Sequence, residues 1–262
     1  MRRLSETFQK VSASKKPGLV AYITAGDPNL ERSADILQAL DKAGADVLEV
    51  GAPFSDPLAD GPIIQRASER ALASGTTLSK VLDMVAQVRK KISAPIVIFS
   101  YANPILRMGE GPFVTAAKRA GVDGVLILDL PIEEAAQFRK RLEEQAIDMI
   151  FLLSPTTTED RIKKAASLGS GFLYVISRLG VTGIQEELAG GIEGMITRVR
   201  KVSKLPIALG FGISKPEHVS EVGRWADAAV VGSSLVKIIA EVGDSEKLVD
   251  RVQEHVRWLK AL

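Results

Sequence analysis

The sequence contains no cysteine and only two histidines, His218 and His255. The lack of cysteine excludes disulfides, thiolate nucleophiles and cysteine-ligated metals. Because the two histidines are far apart and lie in segments with a polar, helical pattern, they do not indicate a histidine-built zinc site. We therefore predict that the chain holds no metal ion.

Long apolar runs and an excess of charge of one sign are also missing. The 34 Lys and Arg residues nearly balance 32 Asp and Glu residues, for a formal net charge of +2. The charges are interleaved, which argues against a nucleic-acid-binding face or a polybasic membrane patch. No apolar run approaches the ~20 residues that span a bilayer, and the start of the chain is unlike a signal peptide. We expect a cytoplasmic protein with neither nucleic acid nor membrane as a partner.

Short apolar runs rich in β-formers alternate with longer segments of helical period. The predicted strands are 18–23, 46–51, 95–100, 123–129, 148–153, 171–176, 206–210 and 227–231. The predicted helices between them include 31–43, 77–92, 132–145, 158–168 and 192–203. Strands followed by helices imply a parallel sheet with helical crossovers.

Eight such units in a chain of 262 residues predict a (β/α)8 barrel, which typically needs about 250 residues. An extra helix at about 3–14 precedes the barrel and another at about 245–260 follows it, and we predict a single domain over 1–262. A doubly wound open sheet is the alternative. It would favour a glycine-rich dinucleotide-binding turn after the first strand, and residues 24–28 lack one.

Two carboxylates stand out near the predicted second strand. Alternation along 46–51 places Glu49 on the other face of the strand from Leu48 and Val50. If those two residues pack beneath helices, Glu49 points into the barrel near its mouth, where burial raises the pKa of a carboxyl group. Asp60 follows on a loop rich in Pro and Gly. A strand carboxylate facing a loop carboxylate suits proton transfer. The alternatives are a structural hydrogen-bond network for Glu49 and a helix cap near Pro62 for Asp60.

Two further aspartates have structural explanations. Asp56 precedes Pro57 and is typical of a turn, although an exposed loop could use it to contact a partner. Asp129 ends the fourth predicted strand, where it could act in catalysis or cap the helix that follows.

Three glycine-rich turns follow the last three predicted strands, at 180–183, 210–214 and 232–234. Barrels commonly bind phosphate after strands 7 and 8, with backbone amides and a helix N-terminus. The polar, glycine-rich stretch 178–191 is typical of a lid. No lysine lies near the C-terminal end of a predicted strand, which argues against Schiff-base chemistry. A phosphate-binding barrel that offers carboxylates indicates acid–base catalysis without a cofactor.

Several motifs resemble the tryptophan synthase α subunit family. They lie between about residues 8 and 240 in the family's order, and the block at 48–65 is highly specific. The motifs are Ala25-Gly26-Asp27-Pro28, the block from Leu48 to Gln65, Tyr101-Ala102-Asn103-Pro104, Asp129-Leu130-Pro131, Ser177-Arg178-Leu179-Gly180-Val181-Thr182-Gly183 and Gly210-Phe211-Gly212-Ile213-Ser214.

The resemblance implies retro-aldol cleavage of indole-3-glycerol phosphate into indole and glyceraldehyde 3-phosphate. Glu49 would then transfer protons, and Asp60 would hold the indole N–H. Thr182 would bond Asp60 when the lid closes. The positions that resemble the family's phosphate site are Gly183, Gly212, Gly232 and Ser233. Those that resemble its substrate pocket are Tyr22, Ile64, Phe99, Tyr101, Ile127, Tyr174 and Phe211, and Tyr22 stands where the family often has phenylalanine.

The family also implies a partner. Its α subunit docks on a β subunit that carries pyridoxal phosphate, in an assembly of two subunits of each kind, and it passes indole to that subunit. By this resemblance the chain itself holds no cofactor. Plant relatives cleave the substrate without the partner, so a stand-alone lyase remains an alternative. A sugar-phosphate isomerase or epimerase on the same scaffold and a non-catalytic phosphate-binding regulator are the other two.

Overall fold

Eight parallel strands form a closed barrel in the computed structural model, which describes residues 1–176, 192–210 and 212–261. The strands are β1 Gly18–Thr24, β2 Val47–Gly51, β3 Ile96–Ser100, β4 Gly124–Ile127, β5 Asp148–Leu153, β6 Leu173–Ile176, β7 Ile207–Gly210 and β8 Ala228–Val231. They are hydrogen-bonded in chain order, and β8 closes the barrel against β1. The predicted (β/α)8 barrel is confirmed.

Twelve helices surround the barrel in the described residues. They are α1 Arg3–Ser14, α2 Leu30–Lys42, α3 Pro62–Ala73, α4 Leu78–Val88, α5 Ala102–Met108, α6 Glu110–Ala120, α7 Ala135–Glu144, α8 Glu159–Leu168, α9 Ile192–Val202, α10 Pro216–Val222, α11 Ser233–Val242 and α12 Leu248–Leu259. The helices predicted at both ends of the chain are present as α1 and α12.

The apolar side chains divide into an inner and an outer layer because successive residues of a strand face opposite sides of the sheet. Val47 of β2 belongs to the inner cluster that fills the barrel, whereas Leu48 and Val50 pack in the outer cluster beneath the helices. Glu49 shares the inward face with Val47, and its neighbour across the ladder is the inward-facing Tyr22 of β1. The alternation in the sequence therefore predicts the direction of Glu49 correctly.

Helix α1 closes the N-terminal end of the barrel. Its Leu4 and Phe8 join the inner cluster, and the Phe8 ring lies 5.4 Å from that of Phe172. Arg2 donates to the buried carboxylate of Asp148 at 2.5 Å, at the start of β5. Because α1 covers the N-terminal end of the barrel, a site can form only at the opposite end, where the strands have their C-termini.

The segment between β2 and β3 is longer than a single crossover because it holds two helices, α3 and α4. Arg70 of α3 forms a two-pronged ion pair with the buried Asp27, with Nε–Oδ1 at 2.8 Å and Nη2–Oδ2 at 2.7 Å. This pair anchors α3 to the loop that follows β1. It thereby holds the loop 52–61, which immediately precedes α3, at the C-terminal rim of the barrel.

Two helices between β3 and β4 were not predicted from periodicity. Helix α5 has only seven residues, too few for a helical repeat to stand out, and it contains Pro104. Proline is tolerated there because the third helical position has no intrahelical N–H bond to lose. The extra length predicted after β6 includes the proposed lid, 178–191, which lies outside the described residues.

Candidate active site

Glu49 is buried in the mouth of the barrel, with 1% of its surface exposed. Its Oε1 atom has no hydrogen-bond partner among the described residues. Burial, with a smaller contribution from the charge of Asp60, raises the pKa of Glu49 from 4.5 to about 8. A buried carboxyl oxygen that none of the described residues bonds is available to a ligand, and the raised pKa keeps the group mainly protonated at neutral pH.

Asp60 reaches the same region from the loop 52–61, and 5% of it is exposed. The Tyr101 hydroxyl donates to its Oδ2 atom at 3.0 Å. Burial raises the pKa of Asp60 from 3.8 to about 6, although the hydrogen bond from Tyr101 lowers it. The N-cap position of α3 is occupied by Gly61, the residue that follows Asp60. Asp60 therefore does not occupy the N-cap position, and the hydrogen bond to its side chain comes from Tyr101.

Tyr101 connects the loop 52–61 to the end of β3. Its hydroxyl accepts a hydrogen bond from Ala59 N at 3.2 Å while it donates to Asp60, and its ring lies 5.1 Å from that of Phe54. On the other side, Gln65 of α3 donates to the carbonyl oxygen of Asp60 at 2.8 Å. Asp60 is thus held from two elements, through both its side chain and its backbone.

The three tyrosines of the chain, Tyr22, Tyr101 and Tyr174, all surround the two carboxylates. Burial is the largest cause that raises the pKa of each hydroxyl. The charge of Asp60 adds to this for Tyr22 and Tyr101, and the charge of Glu49 does so for Tyr174. Near neutral pH these hydroxyls are therefore protonated and can donate hydrogen bonds.

Two glycines make room for tyrosine side chains. A Cβ atom at Gly51 would lie 2.3 Å from the Tyr22 hydroxyl oxygen, and one at Gly210 would lie 2.6 Å from the Tyr174 ring. Both distances are too short for any other residue to fit without a shift. The sequence does not reveal this role, because the contacts join strands β1 and β2 and strands β6 and β7.

The aromatic walls of the site come mainly from the inner cluster. Tyr22 meets Phe99 edge to face, with ring centres 5.5 Å apart, and Ile64 belongs to the same cluster. Tyr174 packs against that cluster. The structure therefore brings four of the predicted pocket residues together. Among the others, Thr182, Gly183 and Phe211 lie outside the described residues.

The prediction for Ile127 needs a correction. Leu126 faces the inside of the barrel and Leu128 packs against the inner cluster, whereas Ile127 between them packs against the outer cluster. Ile127 lines a separate cleft of about 350 Å³ between the ends of β4 and β5. The resemblance therefore selects a residue on the outer face of the barrel, whereas Leu126 and Leu128 on either side of it belong to the inner face.

An anion site can form where β7 and β8 end. Gly232 is the N-cap of α11 and Ser233 is its first residue, so the N-cap residue has no side chain that could bond the first N–H groups. The first backbone N–H groups of a helix have no intrahelical acceptor and carry positive potential, which suits a phosphate group. Gly212, with φ of 32°, lies in the neighbouring turn. The structure thus places Gly212, Gly232 and Ser233 at the ends of adjacent strands.

The other two aspartates have different surroundings. Asp129 Oδ1 accepts a hydrogen bond from Ala102 N at 2.6 Å, at the start of α5. It therefore caps the helix after β3, and the alternative that it caps the helix after its own strand is wrong. Asp56 is exposed on the loop 52–61, where the Ser55 hydroxyl donates to its Oδ2 at 2.6 Å.

The two buried carboxyl groups have different charges near pH 7. With pKa values of about 8 and about 6, Glu49 is mainly protonated while Asp60 is mainly ionised. Such a pair supplies a proton donor and a fixed negative charge to the same ligand. Across the part of the chain that the structure describes, no group of three His, Asp or Glu side chains could hold a metal ion.

The pKa of Glu49 has a consequence for stability. Because folding raises this pKa from 4.5 to about 8, the stability that it contributes is complete below pH 4.5 and is lost as pH rises through about 8. Glu49→Gln cannot ionise and keeps that stability. We expect it to raise the Tm at pH 9 by several degrees, at roughly 2–4 °C per kcal/mol, and to change it little at pH 4.5.

Thermal unfolding followed by circular dichroism at both pH values measures this difference. Asp56→Asn is the matched control, because it removes an exposed carboxylate near the same rim. A Glu49→Gln protein with the same Tm as the wild type at pH 9 would contradict the burial of an ionised Glu49.

Comparisons with known proteins identify the family that this chain resembles. A family model described as "Tryptophan synthase alpha chain" matches residues 8–262. The tryptophan synthase alpha chain of Geotalea daltonii is 47% identical over 261 residues, which covers 100% of this chain and 98% of the relative. The Mycobacterium tuberculosis tryptophan synthase structure has a TM-score of 0.91 at 32% identity and covers 99% of this chain and 97% of that one. A Pyrococcus furiosus tryptophan synthase complex has a TM-score of 0.86 at 37% identity, with 94% and 98% covered.

Proposed function

The chain belongs to the tryptophan synthase alpha chain family, and from this premise we propose that it is a carbon–carbon lyase of tryptophan biosynthesis. It would cleave indole-3-glycerol phosphate into indole and glyceraldehyde 3-phosphate by acid–base catalysis. The family match favours this reaction over a sugar-phosphate isomerase or a non-catalytic regulator.

The observation that carries the proposal is the pair of carboxyl groups at an aromatic pocket. Glu49 is protonated and has an oxygen without a partner among the described residues, and Asp60 beside it is ionised near neutral pH. Protonation of an indole ring at C3 needs an acid, and a negative charge near the ring nitrogen stabilises the cation that forms. The pair offers both within an apolar enclosure that accepts indole.

In the proposed reaction, Glu49 donates its proton to C3 of the indole ring while the Asp60 carboxylate accepts a hydrogen bond from the indole N–H. The positive charge that develops on the ring is stabilised by Asp60. The bond between C3 and the side-chain carbon then breaks, and its electron pair returns to the ring. The adjacent hydroxyl loses its proton to the Glu49 carboxylate and becomes the aldehyde, so Glu49 ends the cycle protonated.

The phosphate group of the substrate would bind to the backbone N–H groups at the start of α11. Gly232 and Ser233 stand at that N-terminus, and Gly212 stands in the adjacent turn. A helix N-terminus attracts a dianion without needing a lysine. The predicted roles of Gly183 in phosphate binding and of Thr182 as a partner of Asp60 complete the proposal.

A tryptophan synthase β subunit is the proposed partner, in a heterotetramer of two subunits of each kind, with pyridoxal phosphate carried by the β subunit. Two exposed leucines lie on segments that follow strands β2 and β3, and a partner docked on the C-terminal face would cover them. Leu58, on the loop that carries Asp60, is 87% exposed, and Leu106 of α5 is 60% exposed. A partner that covers this loop would influence Asp60 directly.

We propose that the protein works in the cytoplasm. Within the described residues, no helix combines the length and apolar character that crossing a membrane requires. The 34 basic and 32 acidic residues nearly balance, so the composition does not favour a charged membrane or nucleic-acid surface as a partner.

Release of indole from indole-3-glycerol phosphate tests the function. The purified chain should release indole, and added β subunit should accelerate the release. Leu106→Ser should reduce this acceleration without changing the rate of the isolated chain. Release that is indifferent to the β subunit would favour the stand-alone lyase. The absence of indole in both mixtures would rule out the lyase.

A further inference from the structure

Both histidines of the chain contact the turns that follow the last two strands. His218 Nδ1 accepts a hydrogen bond from Ser214 N at 3.5 Å, in the turn after β7. His255 Nε2 lies 3.1 Å from the Ser234 hydroxyl, in the first turn of α11. His255 belongs to the C-terminal helix α12, so a distant part of the chain reaches the region proposed to bind phosphate.

The direction of the contact between His255 and Ser234 follows from the number of protons. The Ser234 hydroxyl donates to the carbonyl oxygen of Ile213 at 3.3 Å. A serine hydroxyl has a single proton, so in its contact with His255 it accepts, and His255 Nε2–H is the donor. Burial and the nearby charge of Arg251 lower the pKa of His255. The neutral imidazole with its proton on Nε2 therefore fits this contact.

The Ile213 carbonyl, the Ser234 hydroxyl and the His255 ring connect the turn after β7, the start of α11 and the helix α12. Ile213 directly follows Gly212, and Ser234 directly follows Ser233. The bond between Ser234 and Ile213 consequently sets the spacing between the turn after β7 and the start of α11. His255 holds the Ser234 hydroxyl in that orientation, while its own ring is supported by Trp258, whose ring centre lies 5.6 Å away.

We propose that His255 and Ser234 are positioning residues for the phosphate-binding turns. They keep the N–H groups at Gly212 and at the start of α11 at the separation that one phosphate group requires. This inference rests on the proposed function, because it takes the same turns to hold the substrate phosphate. Neither residue touches the reacting carbon atoms, so their loss should affect binding more than turnover.

Two variants test the positioning. His255→Phe keeps an aromatic ring beside Trp258 but removes the donor, and Ser234→Ala removes the hydroxyl. Each should raise the KM for indole-3-glycerol phosphate about tenfold, equivalent to about 1.4 kcal/mol, while kcat stays within about twofold. The inhibition constant of inorganic phosphate should rise by a similar factor, whereas the affinity for indole should not change.

His255→Gln provides the rescue, because its amide N–H can donate from nearly the same place as Nε2. Its KM should return to within about threefold of the wild type. Glu254→Gln is the matched control on the exposed side of α12, and it should behave like the wild type. The double variant of Ser234→Ala and His255→Phe should be no worse than Ser234→Ala alone, since the two residues act through one contact.

An unchanged KM and an unchanged phosphate inhibition constant in both variants would overturn the inference. Equal losses of indole and phosphate affinity would also overturn it, because they would indicate a general structural role. A wild-type chain that binds phosphate but releases no indole would refute the proposed reaction, and the phosphate measurements would still decide the role of His255.

Discussion

Glu49→Gln is expected to lower the kcat for indole release by about 10³-fold, within the range of 10²–10⁴ that a general acid–base residue contributes. Glutamine has nearly the shape of the protonated glutamic acid that the structure favours, so the pocket and the phosphate site should remain intact. The amide has no acidic proton to give to C3 of the indole ring. The KM should therefore change little, and the loss should appear in kcat.

Binding and stability measurements separate the loss of kcat in Glu49→Gln from damage to the fold. Glu49→Gln should bind indole and inorganic phosphate with wild-type affinity, and it should unfold at a higher temperature than the wild type at pH 9. A variant that is more stable and nearly inactive indicates a group whose burial costs stability and serves the reaction. A kcat within about tenfold of the wild type would favour the structural hydrogen-bond network instead.

The inward direction of Glu49 could be predicted from the sequence, because side chains alternate between the two faces of a strand. In a strand beneath helices, the residues that alternate with Leu48 and Val50 must face the barrel, and Glu49 does so. The same rule does not settle β4, because its run is apolar at every position and the sequence gives no sign of which residues face inward. The structure shows that Leu126 faces the inside and Ile127 the outside, so the residue that the resemblance indicates lies on the wrong face.

Contacts between distant residues could not be predicted in the same way. The hydrogen bond from Tyr101 to Asp60 joins residues of different loops, and the approach of Tyr22 to Gly51 joins neighbouring strands. Each depends on the register of the barrel and on the path of a loop, which hydrophobic patterns leave open. His255 illustrates the limit most clearly, because its partner Ser234 precedes it by 21 residues on another helix.

Asp60→Asn is expected to lower kcat by about 10²-fold, because removal of one group that stabilises developing charge typically costs 10²–10³-fold. Its amide keeps a polar group of similar size on the loop but cannot supply the negative charge opposite the indole N–H. The variant should also alter Glu49. Since the charge of Asp60 contributes to the raised pKa of Glu49, Asn at position 60 should lower that pKa.

The pH profile of kcat/KM measures this coupling. The wild type should lose activity below about pH 6 as Asp60 takes up a proton, and above about pH 8 as Glu49 loses one. In Asp60→Asn the remaining activity should lose the acid limb, and its alkaline limb should move to lower pH. An alkaline limb that stays in place would mean that the two carboxyl groups do not interact.

Tyr101→Phe should move the acid limb of the pH profile, whereas Asp60→Asn should move the alkaline limb. The two variants together therefore identify which carboxyl group causes each limb. The Tyr101 hydroxyl lowers the pKa of Asp60, so its removal should raise that pKa and move the acid limb to higher pH. The negative charge at position 60 remains in this variant above the shifted pKa. At pH values above the shifted pKa of Asp60, we therefore expect kcat to be nearly that of the wild type, because Gln65 still donates to the backbone carbonyl of Asp60. A loss of kcat at every pH would show that Tyr101 acts mainly by placing Asp60, rather than by adjusting its pKa.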